Sequence, residues 1–312
     1  MKKHTLTLNN KHLHASFSKE YLPILKVDSG DSVEVLTPDI GWGYIAKKGQ
    51  DRVTFQSREL EQSWGHPMIG PIYLNGAKPG MTIEIRMNEI KPGWYGWNCA
   101  GGKKNWQNDK VGIAEAPETT LQWELNDEIM IGKCQLKDRV FSVPLQPFMG
   151  ILGLAPSEPG IHSTIPPRRV GGNIDCKELV KGSSLFLPVE VEGGLFSIGD
   201  GHAAQGDGEV SGQAIECPME VADFTMILRE NMEIALPRAK TPSAWITFGF
   251  HEDLNEATAL ALYEMVLLIQ SIYKVSKTEA TALASVAVDL RITQVVNGVK
   301  GVHAVLPHGT IR

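Results

Sequence analysis

Between Ile198 and Gly212 the chain reads Ile-Gly-Asp-Gly-His-Ala-Ala-Gln-Gly-Asp-Gly-Glu-Val-Ser-Gly, which sets two Asp, one Glu and one His among five glycines. Glycine lets the backbone bend sharply and approach a bound group closely, so this is where ligand-type side chains can be put to chemical use. If the first part is extended, Asp200 and His202 project from one face, and Asp207 and Glu209 share a face by the same alternation. A carboxylate with an imidazole suits zinc, whereas clustered carboxylates with turn carbonyls suit a harder ion such as calcium. Two ordinary Asp-Gly turns between surface strands are the alternative, but turns alone do not require the His and the Glu.

The elements that must position these groups read mostly as β. An alternating strand follows a Ser-Gly turn between Val27 and Ile40. Similar turn-strand units recur from Ala77 to Met87 and from Lys181 to Val191, at a spacing too irregular for a solenoid. With 31 Gly and 18 Pro spread along the chain, turns are frequent and no long linker stands out. One region differs: after Asp253, the run from Leu254 to Tyr273 repeats its apolar residues every three or four positions, as a helix requires. Ser276 with Glu279 then forms a capping-box signature for a second helix towards Val286, and β-type residues return up to Val296. The expected fold is mainly β, sandwich-like or barrel-like, with a C-terminal pair of helices, α+β overall. It divides into a β-rich domain over 1–150 and a second over 151–312, which carries the helices near 254–286 and packs intimately on the first.

Composition narrows the function classes. The chain has 312 residues, 42% of them hydrophobic and 21% charged, as in an ordinary globular protein, and no segment approaches the roughly 18 apolar residues that span a bilayer. The polar run Asn9 to His12 replaces the apolar stretch of an export signal, and four widely spaced cysteines without a Cys-x-x-Cys pair suit reduced thiols in a cytoplasm. A net charge of −6 without a basic block argues against nucleic acid as a partner.

Four motifs occur in order: Gly65-His-Pro-Met-Ile-Gly-Pro-Ile-Tyr-Leu-Asn-Gly-Ala-Lys-Pro-Gly-Met-Thr, Gly171-Gly-Asn-Ile-Asp-Cys-Lys-Glu-Leu, Gly199-Asp-Gly-His-Ala-Ala-Gln-Gly-Asp-Gly-Glu-Val, and Gly298-Val-Lys-Gly-Val-His-Ala-Val-Leu-Pro. Together they resemble the acetamidase/formamidase family, collinearly from about Ile24 to Pro307. The resemblance implies hydrolysis of the carbon–nitrogen bond of a short linear amide, with release of ammonia and a small carboxylic acid. It further implies a mostly β fold, a homo-oligomer (dimer or higher) and bound divalent ions, zinc first and calcium second. Met81 departs from the pattern, because Asp often follows that Pro-Gly; this bears on a turn contact and not on the chemistry.

An unactivated amide resists water because the nucleophile is weak, the carbonyl is poorly electrophilic and the amine leaves badly unless protonated. A metal-activated water answers the first two, and a nearby carboxylate carries the proton to the leaving nitrogen. Asp200 and His202 are the first metal ligands expected, with Asp175 third as another glycine-framed carboxylate, and Asp39 and His66 complete the set. Glu209 is the general acid or base, with Asp207 next in line. His12 and His14 have the His-x-His spacing of metal-dependent barrels, but the βα pattern of such barrels is missing. Lys181, Ser183 and Ser184 lack the glycine-rich loop of a serine amidase, and Cys176 lacks the surroundings of a nucleophile. Trp94, Tyr95, Trp97 and Trp106 could wall a pocket or simply pack. A β-sandwich that binds a metal and a small ligand without turning it over is the second hypothesis, since folds are reused without their chemistry.

Overall fold

A computed structural model describes residues 1–59 and 65–312. Two large sheets form the body. The nine-stranded one runs, neighbour to neighbour, Lys3–Leu6, Ser32–Thr37, Met219–Arg229, Thr82–Pro92, Ser184–Pro188, Arg238–Lys240, Ala244–His251, Lys300–Pro307 and Asp289–Gln294. It is open, with Lys3–Leu6 at one edge and Asp289–Gln294 at the other, so the architecture is sandwich-like and not a closed barrel. All three turn-strand units expected from the sequence lie in this sheet. Met81 makes its turn regardless of its side chain, its N–H donating to the Lys78 carbonyl at 3.1 Å.

The six-stranded sheet holds Gly171–Asn173, Phe148–Gly153, Phe196–His202, Met68–Leu74 and Leu13–His14, with Leu25–Val27 added parallel to Met68–Leu74. Its central strands are buried along their whole length; Phe148–Gly153 reads as a continuous apolar and glycine run, while Phe196–His202 carries Ser197, Asp200 and His202 into the interior. Ile69, Ile72, Phe196 and Ile198 from this sheet join Val33, Ile83, Ile85, Phe224 and Phe248 from the larger one in a single apolar core. The other face of the larger sheet packs on the helices. Along Lys300–Pro307, Val302, Ala304 and Leu306 meet the helices while Val305 belongs to the main core, the two-residue alternation of a strand covered on both sides.

The helices span Leu254–Tyr273 and Lys277–Ala287. Asp253 caps the first, accepting from the Asn255 N–H at 2.7 Å, and the reciprocal Ser276–Glu279 box opens the second. Taken singly, neither helix is long and apolar enough to cross a membrane.

Residue 150 is where the sequence suggests that one β-rich half gives way to the next. That position lies inside the strand Phe148–Gly153, and strands from both halves are neighbours in both large sheets. A separate four-stranded antiparallel sheet, Tyr95–Ala100, Thr119–Asn126, Ile131–Leu136 and Arg139–Pro144, extends from the body.

Candidate active site

Phe196–His202 pairs with Phe148–Gly153 in a register that sets Phe148 opposite His202 and Ile151 opposite Gly199, so Gly150 faces Asp200. The carbonyl of Gly150 accepts the N–H groups of Ile174 (3.0 Å) and Asp175 (3.2 Å), which docks the Asp175 turn onto the same spot. From the other side, Cys217 N–H donates to the Gly201 carbonyl at 2.8 Å, and Glu216 exchanges backbone hydrogen bonds with Trp97. Asp175, Asp200, His202, Glu209 and Glu216 are thereby gathered, each no more than 6% exposed.

The ligand atoms of Asp175, Asp200 and His202 lie within 4.8 Å of one another, as do those of His202, Glu209 and Glu216. His202 Nε2 is 3.3 Å from Asp200 Oδ1 and 3.3 Å from Glu216 Oε2. Its Nδ1 is engaged by Gln205 Oε1 at 3.0 Å, and Gln205 in turn donates to the Asp175 carbonyl at 2.8 Å. This relay fixes the ring and aims Nε2 at the carboxylates, the usual support of a ligating histidine. The Phe148 ring backs the imidazole edge-on at 5.0 Å. Asn297 donates to Asp175 Oδ2 at 2.7 Å, and Ala214 N–H to Glu216 Oε1 at 3.0 Å.

Local backbone geometry marks the same residues. Asp175, Asp200 and Glu209 have φ of 54°, 62° and 47°, in the left-handed region that side chains other than Asn and Asp rarely adopt. Asp tolerates that region, so the strain falls on Glu209, and such strain persists where the surroundings over-determine it and clusters at functional sites.

Electrostatics sets the chemistry. Four carboxyl groups face one imidazole in a medium that solvates charge poorly. Burial pushes Asp175 up to about 7, with Asp200 and Glu216 adding repulsion against the opposing pull of His202 and Asn297. Glu216 rises to about 7 by burial and by Asp200, again against His202. Burial, reinforced by Asp175, lifts Glu209 well above the carboxylate range. Asp200, despite burial, is held down at about 2 by His202 and His66. His202 runs the other way: burial opposes its charge, but Glu216 and Asp200 raise it well above an ordinary histidine. Fully ionised, the four carboxylates would outnumber the one imidazolium, and without a cation the cluster relieves that excess by keeping protons on Asp175, Glu209 and Glu216.

A divalent cation fits this donor set. Asp175 Oδ1, Asp200 Oδ1, Glu209 Oε2 and Glu216 Oε2 are buried without a hydrogen-bond partner among the described residues. At Gly150 a Cβ would come within 2.7 Å of Asp175 Oδ1 and Asp200 Oδ2 and 2.9 Å of His202 Cε1, so only glycine leaves the cradle open. Carboxylate oxygens with one imidazole nitrogen suit zinc or a harder divalent ion.

The geometry meets a clear set of relatives. A family model described as the acetamidase/formamidase family matches residues 159–309. An acetamidase of Mycolicibacterium smegmatis is 33% identical over 257 residues, 61% of this chain and 63% of that protein. The structure is similar to a predicted acetamidase/formamidase from Thermoanaerobacter tengcongensis, with a TM-score of 0.82 and 26% identity over 98% of this chain and 96% of that one. An acetamidase from Bacillus halodurans gives a TM-score of 0.80 at 28% identity over 97% of each chain. The chain is similar to the acetamidase/formamidase family, in sequence over residues 159–309 and in fold over nearly its whole length. Its alignments span less than two thirds of the curated relatives they match, 63% and 56%.

Within this acetamidase/formamidase fold, the residues expected from the sequence separate into three groups. Asp175, Asp200, His202 and Glu209 converge. His66 is partly exposed beside them and interacts electrostatically with Asp200 and His202; Thr164 Oγ1 holds its Nδ1 at 2.7 Å. Asp39 and Asp207 stand apart from the metal-ligand groups. Asp39 is fully buried, but Arg52 (2.5 and 2.6 Å), Tyr95 (2.7 Å) and the Gly43 N–H (3.1 Å) occupy its oxygens, so it works as the anchor of a loop. Asp207 is exposed and pairs with Lys177 at 3.1 Å. Alternation fails there because Gly208 (φ 94°) and Glu209 (φ 47°) turn the chain, sending Glu209 inward and Asp207 outward. Glu216 is the member that sequence reasoning missed; the signal available was a lone carboxylate in the apolar run Ala214 to Pro218.

The features set aside have ordinary partners. His14 bonds the Ser16 carbonyl and Ser197 Oγ, Ser184 bonds Glu84, and Lys181 pairs with Glu89. Trp97 and Tyr95 line a cavity of about 440 Å³ with Arg52, Cys99, Glu118 and Gln213, while Trp106 is exposed.

Proposed function

We propose that this chain hydrolyses short linear amides of the formamide and acetamide type, releasing ammonia and a small carboxylic acid. The single observation carrying this reading is the buried, under-neutralised cluster around His202, built into a family fold whose named relatives are acetamidases and formamidases. Asp175, Asp200 and His202, with Glu216 completing the set, hold a divalent metal, zinc by donor chemistry with calcium as the harder alternative. When bound, such an ion supplies Lewis acidity that polarises an amide carbonyl and acidifies water.

The chain's own residues do the rest. Gln205 holds His202 in the orientation that keeps Nε2 toward the carboxylates. A cation held by the neighbouring carboxylates would offset the burial and repulsion that otherwise keep Glu209 protonated. So ionised, Glu209, whose Oε2 has no partner among the described residues, accepts a proton from the attacking water as the C–O bond forms and returns it to nitrogen as the C–N bond breaks, so that neutral ammonia leaves. The depth of the cluster keeps bulk water from screening these interactions.

Ammonia release from a panel of short amides, with and without chelator, tests the proposal. Release that chelator abolishes and added metal restores is the expected result. A metal-loaded protein that releases no ammonia across the panel would instead be a binding module. We further infer a homo-oligomer, supported by the exposed apolar edge of the four-stranded sheet. Four free thiols are compatible with a reducing compartment such as the cytoplasm.

A further inference from the structure

A second set of ligand-type side chains meets outside the carboxylate cluster. Cys176 Sγ donates to Glu178 Oε2 at 3.2 Å, and His303 Nε2 lies 3.4 Å from the same oxygen. The three ligand atoms are within 4.8 Å of one another. His303 is completely buried; its Nδ1 is engaged by Thr293 Oγ1 at 2.8 Å, while its Nε2 makes no hydrogen bond among the described residues. One ring nitrogen fixed by an outer partner and the other bare and aimed at a thiol and a carboxylate is how a ligating histidine is prepared.

We propose that Cys176, Glu178 and His303 form a second metal site, one that takes a thiolate-seeking divalent ion of the zinc class. Zinc bonds of roughly 2.3 Å to sulfur and 2.0–2.2 Å to nitrogen or oxygen place tetrahedral corners about 3.3–3.6 Å apart. The O–N separation already fits, and the S–O separation needs to open by a few tenths of an ångström. On binding, the Cys176 proton leaves to solvent and the sulfur coordinates as thiolate. Arg291 holds only the other carboxylate oxygen, Glu178 Oε1, at 2.9 Å, which leaves Oε2 to the ion and balances charge. Arg291 and His303 are direct cross-strand neighbours, so both reach Glu178 from one sheet edge. Glu178, with 14% of its side chain exposed, gives the ion a path in. Cys176 follows Asp175 directly, so this ion clamps the left-handed Asp175 turn to the C-terminal strands.

Cobalt separates this site from the carboxylate cluster, because only a thiolate ligand produces an intense sulfur-to-cobalt charge-transfer band in the near ultraviolet. Metal-stripped full-length protein titrated with Co²⁺ should develop that band. His202→Ala should keep it, Cys176→Ser should lose it, and Glu178→Gln should weaken cobalt binding at this band by at least about 10–100-fold, which is what loss of a mere outer partner of a ligand costs. Wild-type protein that binds cobalt without a thiolate band overturns the proposal, as does a band that survives Cys176→Ser. Neither reading depends on amide turnover, so failure of the amidase proposal leaves this test intact.

Discussion

Replacing His202 by Ala removes the nitrogen donor shared by both groups of ligand atoms in the carboxylate cluster, without disturbing the strand pairing that carries it. Metal content of the cluster and ammonia release should fall together while the far-ultraviolet circular dichroism stays unchanged, since the apolar core does not include the imidazole. Full occupancy with normal turnover would remove His202 from the site. Glu209→Gln is the complementary change: it keeps size and hydrogen-bonding shape but abolishes the basic oxygen. It should retain metal and lose roughly 10²–10⁴ of the rate, the contribution of a positioned acid or base, with the loss in kcat more than in KM. Metal loss in this variant would make Glu209 a ligand. The sequence made Asp200, His202 and Glu209 visible because each sits beside glycine, and Asp175 because it follows the Gly171-Gly172 pair by three residues, where side chains of that kind have little reason to be structural. Glu216 had no such frame, and only tertiary burial reveals it. Asp39 resembled a ligand because a buried carboxylate looks the same in sequence whether an arginine or a cation neutralises it.

At the scale of elements, the cluster depends on strands that can approach one another without side chains between them. Gly150→Ala puts a methyl within 2.7 Å of two carboxylate oxygens. Its neighbours are fixed by a strand pairing and by the two N–H donors on the Gly150 carbonyl, so they cannot all retreat. The variant should lose about 1–3 kcal/mol of stability, the cost of overpacking a buried site, and should also bind metal at the cluster at least about tenfold more weakly. Thermal melts and metal titration measure the two separately; unchanged metal affinity would show that the cradle is wider than the structure has it. The helices were legible from Asp253, Ser276 and Glu279 because caps are local chemistry. The strand order was not, since Met219–Arg229 comes to lie between Ser32–Thr37 and Thr82–Pro92 only through pairings more than a hundred residues apart.

For the whole molecule, the exposed edge of the four-stranded sheet is the feature that remains unexplained by a single chain. Val140 is 63% and Phe141 47% exposed on the edge strand Arg139–Pro144, with Ile129 at 61% and Leu136 at 41% nearby. Successive residues on a strand point to opposite faces, so Val140 and Phe141 leave both faces of this edge apolar and open. A bare edge of this kind also offers unpaired backbone groups to any other strand, a hazard that natural sheets avoid with charge, Pro or a cover. Arg139 and Pro144 lie only at the strand's ends, so a cover is the remaining device, and a second copy of the chain supplies one without any further partner. Light scattering of the purified protein should therefore give a mass of at least twice 34.2 kDa. The double change Val140→Lys and Phe141→Lys, made on exposed positions that support no core contact, should shift the protein toward the monomer, raising the dissociation constant at least about tenfold, equivalent to about 1.4 kcal/mol. A monomeric wild-type protein would sink the oligomer reading. An oligomer indifferent to both lysines would move the interface to another face.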